Sequence, residues 1–211
     1  MKIYDLTLRL SVHGSVFPGT PEMDYNLSHT IEKDHYNLGI ASINSHAGTH
    51  TDAPRHFLEE GSCLDAVPLE KYIGYTVVAD CTQKQAFDKI DVSDLLPYED
   101  RIRKYKKLLL HTNWSNYAGE PEFYTDYPII TEELADWLVS LGLELIGVEA
   151  PSLNPEKYIE VHKTFLSNGT AIIESLTNLS SLPSDIVFFS AAPIPLAEAD
   201  GFPVRALAIE F

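Results

Sequence analysis

Three histidines and an aspartate fall within eleven residues of this chain: His46, His50, Asp52 and His56. Imidazole and carboxylate are the ligands that suit zinc, manganese or iron. A helix would put His46 and His50 on one face, four residues apart, but Gly48, Thr49, Thr51 and Pro54 argue against a helix here. On a strand every second side chain shares a face, and these four residues are all even-numbered. A straight strand, at ~3.3 Å per residue, would spread them too far apart for one ion. The chain is therefore expected to turn near Gly48 and gather its ligands around one point. A lone histidine reads as an ordinary surface or satisfied core residue. Burying this whole group without a cation would leave polar atoms unpaired at about 1–3 kcal/mol each, so the cluster reads as a metal site.

Two histidines and an aspartate do not close such a site, and further ligands must come from elsewhere in the chain. His162 sits in a helical pattern. Glu174 sits inside the apolar run Ala171-Ile172-Ile173-Glu174-Ser175, where a carboxylate is costly to bury unless it is paired or coordinated. The alternative for Glu174 is an exposed place on the outer face of a strand. His111 and Glu149, each at the end of an apolar run, are weaker candidates of the same kind. His13, His29 and His35 lie in polar surroundings and read as solvated. Cys63 and Cys81 fit neither a zinc knuckle nor a CxxC redox pair and read as inert thiols.

The elements that must position these residues are mostly strands. Residues 2–10 largely alternate apolar and polar, as do residues 38–44, which run into the histidine segment. Residues 75–80, 107–112, 145–149, 171–175, 185–190 and 204–209 read as further strands. Phe17-Pro18-Gly19-Thr20-Pro21 is a turn. Residues 131–142 read as a helix with Thr131 as cap, acidic residues in the first turn, a Leu134/Trp137/Leu138/Leu141 face and Gly142 at the end. Residues 155–166 and, more weakly, 92–96 are further helices. Strands that outnumber helices and alternate with them predict an α/β fold with a mixed sheet. No linker divides residues 1–211, which read as a single domain.

The chain has 211 residues, 45% of them hydrophobic and 22% charged, with a formal net charge of −16. That field would repel a phosphate backbone, so no nucleic-acid partner is expected. No apolar run reaches the ~18 residues of a membrane span. Asp5 interrupts the stretch that a signal peptide would need. A cytoplasmic protein acting on a small molecule, with no membrane partner, is the expectation.

The run His46-Ala47-Gly48-Thr49-His50-Thr51-Asp52-Ala53-Pro54-Arg55-His56 resembles the HxGTHxDxPxH signature of the cyclase family, which includes bacterial kynurenine formamidases and isatin hydrolases. Asp5-Leu6-Thr7, Pro18-Gly19, residues 69–74, Ile146 to Ser152, His162 and Ile173 to Leu179 extend the resemblance over almost the whole chain. It implies a swivelling β/β/α fold, usually as a homodimer or homotetramer. It also implies one or two divalent ions, commonly zinc, with manganese possible. His46, His50 and Asp52 would hold the first ion; Asp52 would bridge to a second, held with His162 and Glu174. His56 would be the proton donor and acceptor. The implied reaction is hydrolysis of an amide C–N bond in a small aromatic substrate, foremost that of N-formylkynurenine to kynurenine and formate in tryptophan catabolism. The alternatives are opening of a lactam or lactone, as by an isatin hydrolase, or a catalytically silent metal-dependent binding protein. Two positions depart from the family pattern. Phe17 stands where formamidases commonly carry a Trp of the substrate pocket, keeping an aromatic face but lacking the indole N–H donor. Glu149 stands where Asp is usual.

Overall fold

Side chains that alternate along a strand let one sheet serve two cores. In the computed structural model, which describes residues 1–12 and 17–211, Val77, Leu108, Leu110, Ile146 and Ile172 belong to one apolar cluster. Their neighbours Val78, Leu109, Leu145 and Ile173 belong to a second. His13 lies outside the described residues.

In chain order the strands are β1 (Lys2–Asp5), β2 (Asp24–His29), β3 (Leu38–Ser42), β4 (His50–Asp52), β5 (Ile73–Asp80), β6 (Lys89–Ile90), β7 (Lys107–His111), β8 (Ile129–Ile130), β9 (Leu145–Val148), β10 (Ala171–Glu174), β11 (Ile186–Ser190), β12 (Gly201–Pro203) and β13 (Leu207–Glu210). The helices are α1 (Ile31–Asp34), α2 (Val92–Leu95), α3 (Glu99–Tyr105), α4 (Glu132–Ser140) and α5 (Tyr158–Ser167). Nine strands form one mixed sheet in the order β1-β13-β11-β5-β7-β9-β10-β4-β12. The centre, β5-β7-β9-β10, is parallel; the flanks are antiparallel.

Chain length forces this sheet to curl. Three residues, Val204 to Ala206, separate β12 at one end from β13 near the other, and such a link spans roughly 13 Å at most. The two ends are indeed tied together. Thr7 bridges Leu176, Leu6 N donates to Ala206 O at 2.9 Å, and Thr177 N donates to Leu6 O at 3.0 Å.

The structure redraws several expected elements. The opening strand stops at Asp5 rather than running to residue 10, because Leu8 N turns to the Thr49 hydroxyl at 2.7 Å. Of the expected strand 204–209 only residues 207–209 are strand, within β13, while residues 204–206 form the link from β12 at the far end of the sheet order. Residues 38–42 do form a strand, but among the described residues it pairs with the unexpected β2 alone, in a separate hairpin. Helix α3 was also unexpected. It ends at Lys106 in a left-handed conformation (φ 56°). Helix α4 matches the reading, with the Thr131 hydroxyl accepting from Leu134 N. Among the described residues no helix is long and apolar enough to cross a membrane.

Candidate metal centre

Three elements converge at one edge of the sheet. Strand β4 pairs antiparallel with β10, and the register sets His50 opposite Glu174 and Asp52 opposite Ile172. Residues directly across an antiparallel pair share a face, so His50, Asp52 and Glu174 project together. Helix α5 packs over this face and buries His162 along with Val161, Phe165 and Leu166. The expected turn is present: Gly48 has φ +57°, a left-handed conformation, and it delivers His46 beside the strand end. His56 follows on a single helical turn, Pro54–His56, with its N–H donating to Ala53 O at 2.9 Å.

Each of the three imidazoles has one nitrogen tied to an outer acceptor and the other turned inward. His50 Nδ1 lies 2.8 Å from Gly48 O, and His162 Nδ1 lies 2.5 Å from Tyr158 O. His46 Nε2 lies 2.9 Å from the Asp200 carboxylate. With the outer nitrogens protonated, the inner ones face two buried carboxylates. His46 Nδ1 is 2.9 Å from Asp52 Oδ1. His50 Nε2 is 3.3 Å from Glu174 Oε2 and 3.5 Å from Asp52 Oδ1. His162 Nε2 is 3.0 Å from Glu174 Oε1 and 3.6 Å from Asp52 Oδ2. Metal-bound histidines are held in this way, the far N–H fixed by a carbonyl or carboxylate.

The donor set fits a divalent cation. Among the described residues, the buried His50 Nε2 and Asp52 Oδ2 have no hydrogen-bond partner, although buried polar atoms are normally paired. The ligand atoms of His50, Asp52 and Glu174 lie within 4.8 Å of one another, as do those of His46, Asp52 and His56. Asp52 belongs to both triples. The second triple also includes His56, which the sequence pattern placed in the cluster and the family resemblance assigned to proton transfer.

Electrostatics agree with this arrangement. Burial works against a charged His46, but the Asp200 and Asp52 carboxylates outweigh it and push its pKa up to about 10. Burial would raise Asp52, yet His46, His50 and His162 hold it well below the usual carboxylate range. Burial and the charge of Asp52 both raise Glu174, and the imidazoles of His162 and His50 overcome them. For His162 burial favours the neutral ring and Glu174 prevails, raising it. In the metal-free protein, protons thus stand where a cation would offset the two carboxylates.

His56 stacks on His46, with centroids 3.8 Å apart and an interplanar angle of 28°. Phe57 meets His56 edge-on at 4.4 Å and stacks on His162 at 4.5 Å. Phe17 lies in the expected turn, where Thr20 N donates to its carbonyl, and packs edge-to-face on Tyr124 at 5.9 Å. Both aromatic residues line a cleft of about 180 Å³ that is also bounded by His46, Gly48 and Ser175.

The weaker candidates stand apart. His111 pairs with Asn113 at 3.0 Å, His29 stacks on Tyr36, and His35 is exposed. Glu149 binds the turn at 112–115. Cys63 and Cys81 are unpaired, and burial pushes the Cys81 thiol up to about 12. Asp200 and Phe57 escaped the sequence reading. Phe57 directly follows the motif and was within its reach, whereas Asp200 offered no local signal.

Residues 4–155 match the family described as putative cyclase, and the chain belongs to that family. The kynurenine formamidase of Geobacillus thermodenitrificans (strain NG80-2) is 33% identical to it over 206 residues, which cover 96% of this chain and 94% of that one. A solved structure described as a potential metal-dependent hydrolase with cyclase activity superposes with a TM-score of 0.81 at 27% identity, covering 98% of this chain and 96% of that one. Isatin hydrolase A from Labrenzia aggregata, bound to benzyl benzoate, gives a TM-score of 0.86 at 22% identity over 98% of this chain and 93% of its own, a likeness of fold.

Proposed function

We propose that this chain is a metal-dependent arylformamidase that hydrolyses N-formylkynurenine to kynurenine and formate, a step of tryptophan catabolism. The observation that carries the reading is the pair of buried carboxylates, Asp52 and Glu174, faced by three oriented imidazoles, with no hydrogen-bond partner for His50 Nε2 or Asp52 Oδ2 among the described residues. Near full-length similarity to kynurenine formamidases supports the substrate. His46, His50 and Asp52 would hold one ion, and Asp52, His162 and Glu174 a second. Zinc suits this nitrogen and carboxylate set, and manganese would be accepted. A divalent ion there would supply Lewis acidity and positive charge.

The chain's own groups do the rest. Phe17 and Tyr124 offer the aryl ring a stacking wall beside His46. Phe57 shields the site from water on the His56 side. Water adds to the formyl carbon, the C–N bond breaks, and His56 carries the proton to the leaving aniline nitrogen.

The reading takes residues 1–211 as one domain, supported by both apolar clusters packing on one sheet. It also takes the chain to associate as a homodimer or homotetramer. Tyr25, Leu27, Leu38 and Ile40 are exposed on the β2–β3 hairpin, and a lone two-stranded hairpin is marginal in water. Two unpaired cysteines fit the reducing cytoplasm.

The test is zinc-loaded protein with N-formylkynurenine, followed by kynurenine absorbance. Turnover abolished by a chelator and restored by zinc is expected. His56→Ala should retain metal and lose about 100- to 10,000-fold in rate. If the loaded enzyme leaves N-formylkynurenine intact but opens isatin, the substrate is a lactam. Metal binding without turnover of any amide, lactam or lactone would leave a binding protein.

A further inference from the structure

Asp200 is distant in sequence from the histidine motif, yet one of its oxygens touches two members of it. Oδ2 lies 2.9 Å from His46 Nε2 and 3.4 Å from His56 Nδ1. The two rings it joins are stacked.

The backbone is arranged to bring it there. Strand β12 pairs with β4, setting Gly201 opposite Asp52, and Ala53 N donates to Asp200 O at 2.8 Å. A Cβ on Gly201 would lie 2.6 Å from Thr51 O and 2.8 Å from His46 Cε1. Any residue other than glycine would force this strand away from the ring. The close approach that Gly201 permits is what places the preceding carboxylate against both imidazoles.

We propose that Asp200 is the positioning residue of the centre: one carboxylate fixes the tautomers of both His46 and His56. Accepting from His46 Nε2–H, it leaves Nδ1 turned toward Asp52 and the cation site, the arrangement in which an outer carboxylate orients a metal ligand. Accepting from His56 Nδ1–H, it leaves Nε2 with a free lone pair to take and return a proton, as the buried aspartate does behind the histidine of a hydrolase triad. The shared oxygen also couples the two rings, so the relay histidine is set at a fixed place relative to the ligand histidine. The His56 half of this inference rests on the hydrolase reading above; the tautomer assignment does not.

Two measurements test it. The first uses ¹⁵N-imidazole spectra of metal-free and zinc-loaded protein and needs no substrate. Wild type should show His56 protonated at Nδ1, and Asp200→Asn should show a mixture of tautomers. A wild-type His56 protonated at Nε2 would overturn the proposal whatever the substrate proves to be. The second uses kinetics at saturating zinc. Asp200→Asn should lower kcat by about 100- to 10,000-fold with little change in KM, and zinc affinity should fall about 10- to 100-fold. Asp200→Glu, which keeps the carboxylate, should recover part of the rate. In a His56→Ala background, Asp200→Asn should cost little further rate, because its main effect on kcat passes through that ring. Full multiplication of the two losses, or a wild-type kcat in Asp200→Asn, would overturn the proposal. If wild type turns over none of the substrates, the arylformamidase reading fails and the spectra still decide the tautomers.

Discussion

Glu149 and Glu174 end neighbouring parallel stretches of one sheet, and both are buried, yet they are surrounded differently. Glu149 Oε2 accepts from Thr112 N at 2.7 Å and Asn113 N at 2.6 Å, and Oε1 accepts from the Ser115 hydroxyl at 2.7 Å. These are fixed protein donors, enough to hold a buried anion, and they clip the turn after β7. Among the described residues, no backbone N–H donates to the Glu174 carboxylate. It faces imidazole nitrogens, with the Asp52 carboxylate close by. Both carboxylates have the burial that costs free energy; backbone and hydroxyl donors offset it at Glu149, whereas imidazoles that could equally face a cation offset it at Glu174. What would separate a structural carboxylate from a metal ligand here is therefore who faces it, not how deeply it lies.

The comparison can be broken most forcefully at Asp52, which belongs to both ligand triples. Asp52→Ala should bring turnover down to background, whereas Glu149→Gln should keep both metal and turnover. Glu149→Gln should instead destabilise the protein by about 1.5–3 kcal/mol, the worth of a hydrogen bond to a charged group, read as a lower midpoint in urea. Metal loss in Glu149→Gln would erase the distinction.

A smaller effect sharpens it by pH. Burial disfavours a charged His46, but Asp200 and Asp52 raise it from 6.5 to about 10 in the metal-free protein. A raised imidazole contributes stability that is fully present below pH 6.5 and lost as pH climbs through 10. Thermal melts of chelated protein should fall across that window. Zinc-loaded protein, in which the ion displaces the proton at Nδ1, should lose less. Parallel curves would contradict the exchange of proton for cation. The smallest effect concerns the cleft. Phe17→Trp should change KM by a few-fold and leave kcat near wild type, as for a contact made equally in ground and transition states. A change confined to kcat would remove Phe17 from the binding wall.

The same contrast explains what could be read from the sequence. His46, His50, Asp52 and His56 were legible because they are close in sequence and their glycine announces a bend. Glu174 was legible as an oddity, a carboxylate in an apolar run, but Glu149 gave the same signal. Nothing local says which of them lies opposite His50, since that is fixed by the β4–β10 register. Asp200 depends on a second pairing, β12 with β4, and the sequence pattern pointed to a strand at 204–209 and none at 201–203. The alternation of Tyr25 and Leu27 in β2 is a weak signal, because residues 24–28 are exposed and belong to neither apolar cluster.

The central claim is that the Asp52 and Glu174 carboxylates are completed by divalent cations and the Glu149 carboxylate is not. Elemental analysis with calorimetric zinc titration of chelator-stripped protein tests it most directly. Wild type and Glu149→Gln should take up zinc to the same stoichiometry, Glu174→Ala should keep the ion at His46 and His50 and weaken or lose the other, and Asp52→Ala should hold neither. Wild-type occupancy in Asp52→Ala, or loss of zinc in Glu149→Gln with Asp52→Ala intact, would contradict the account.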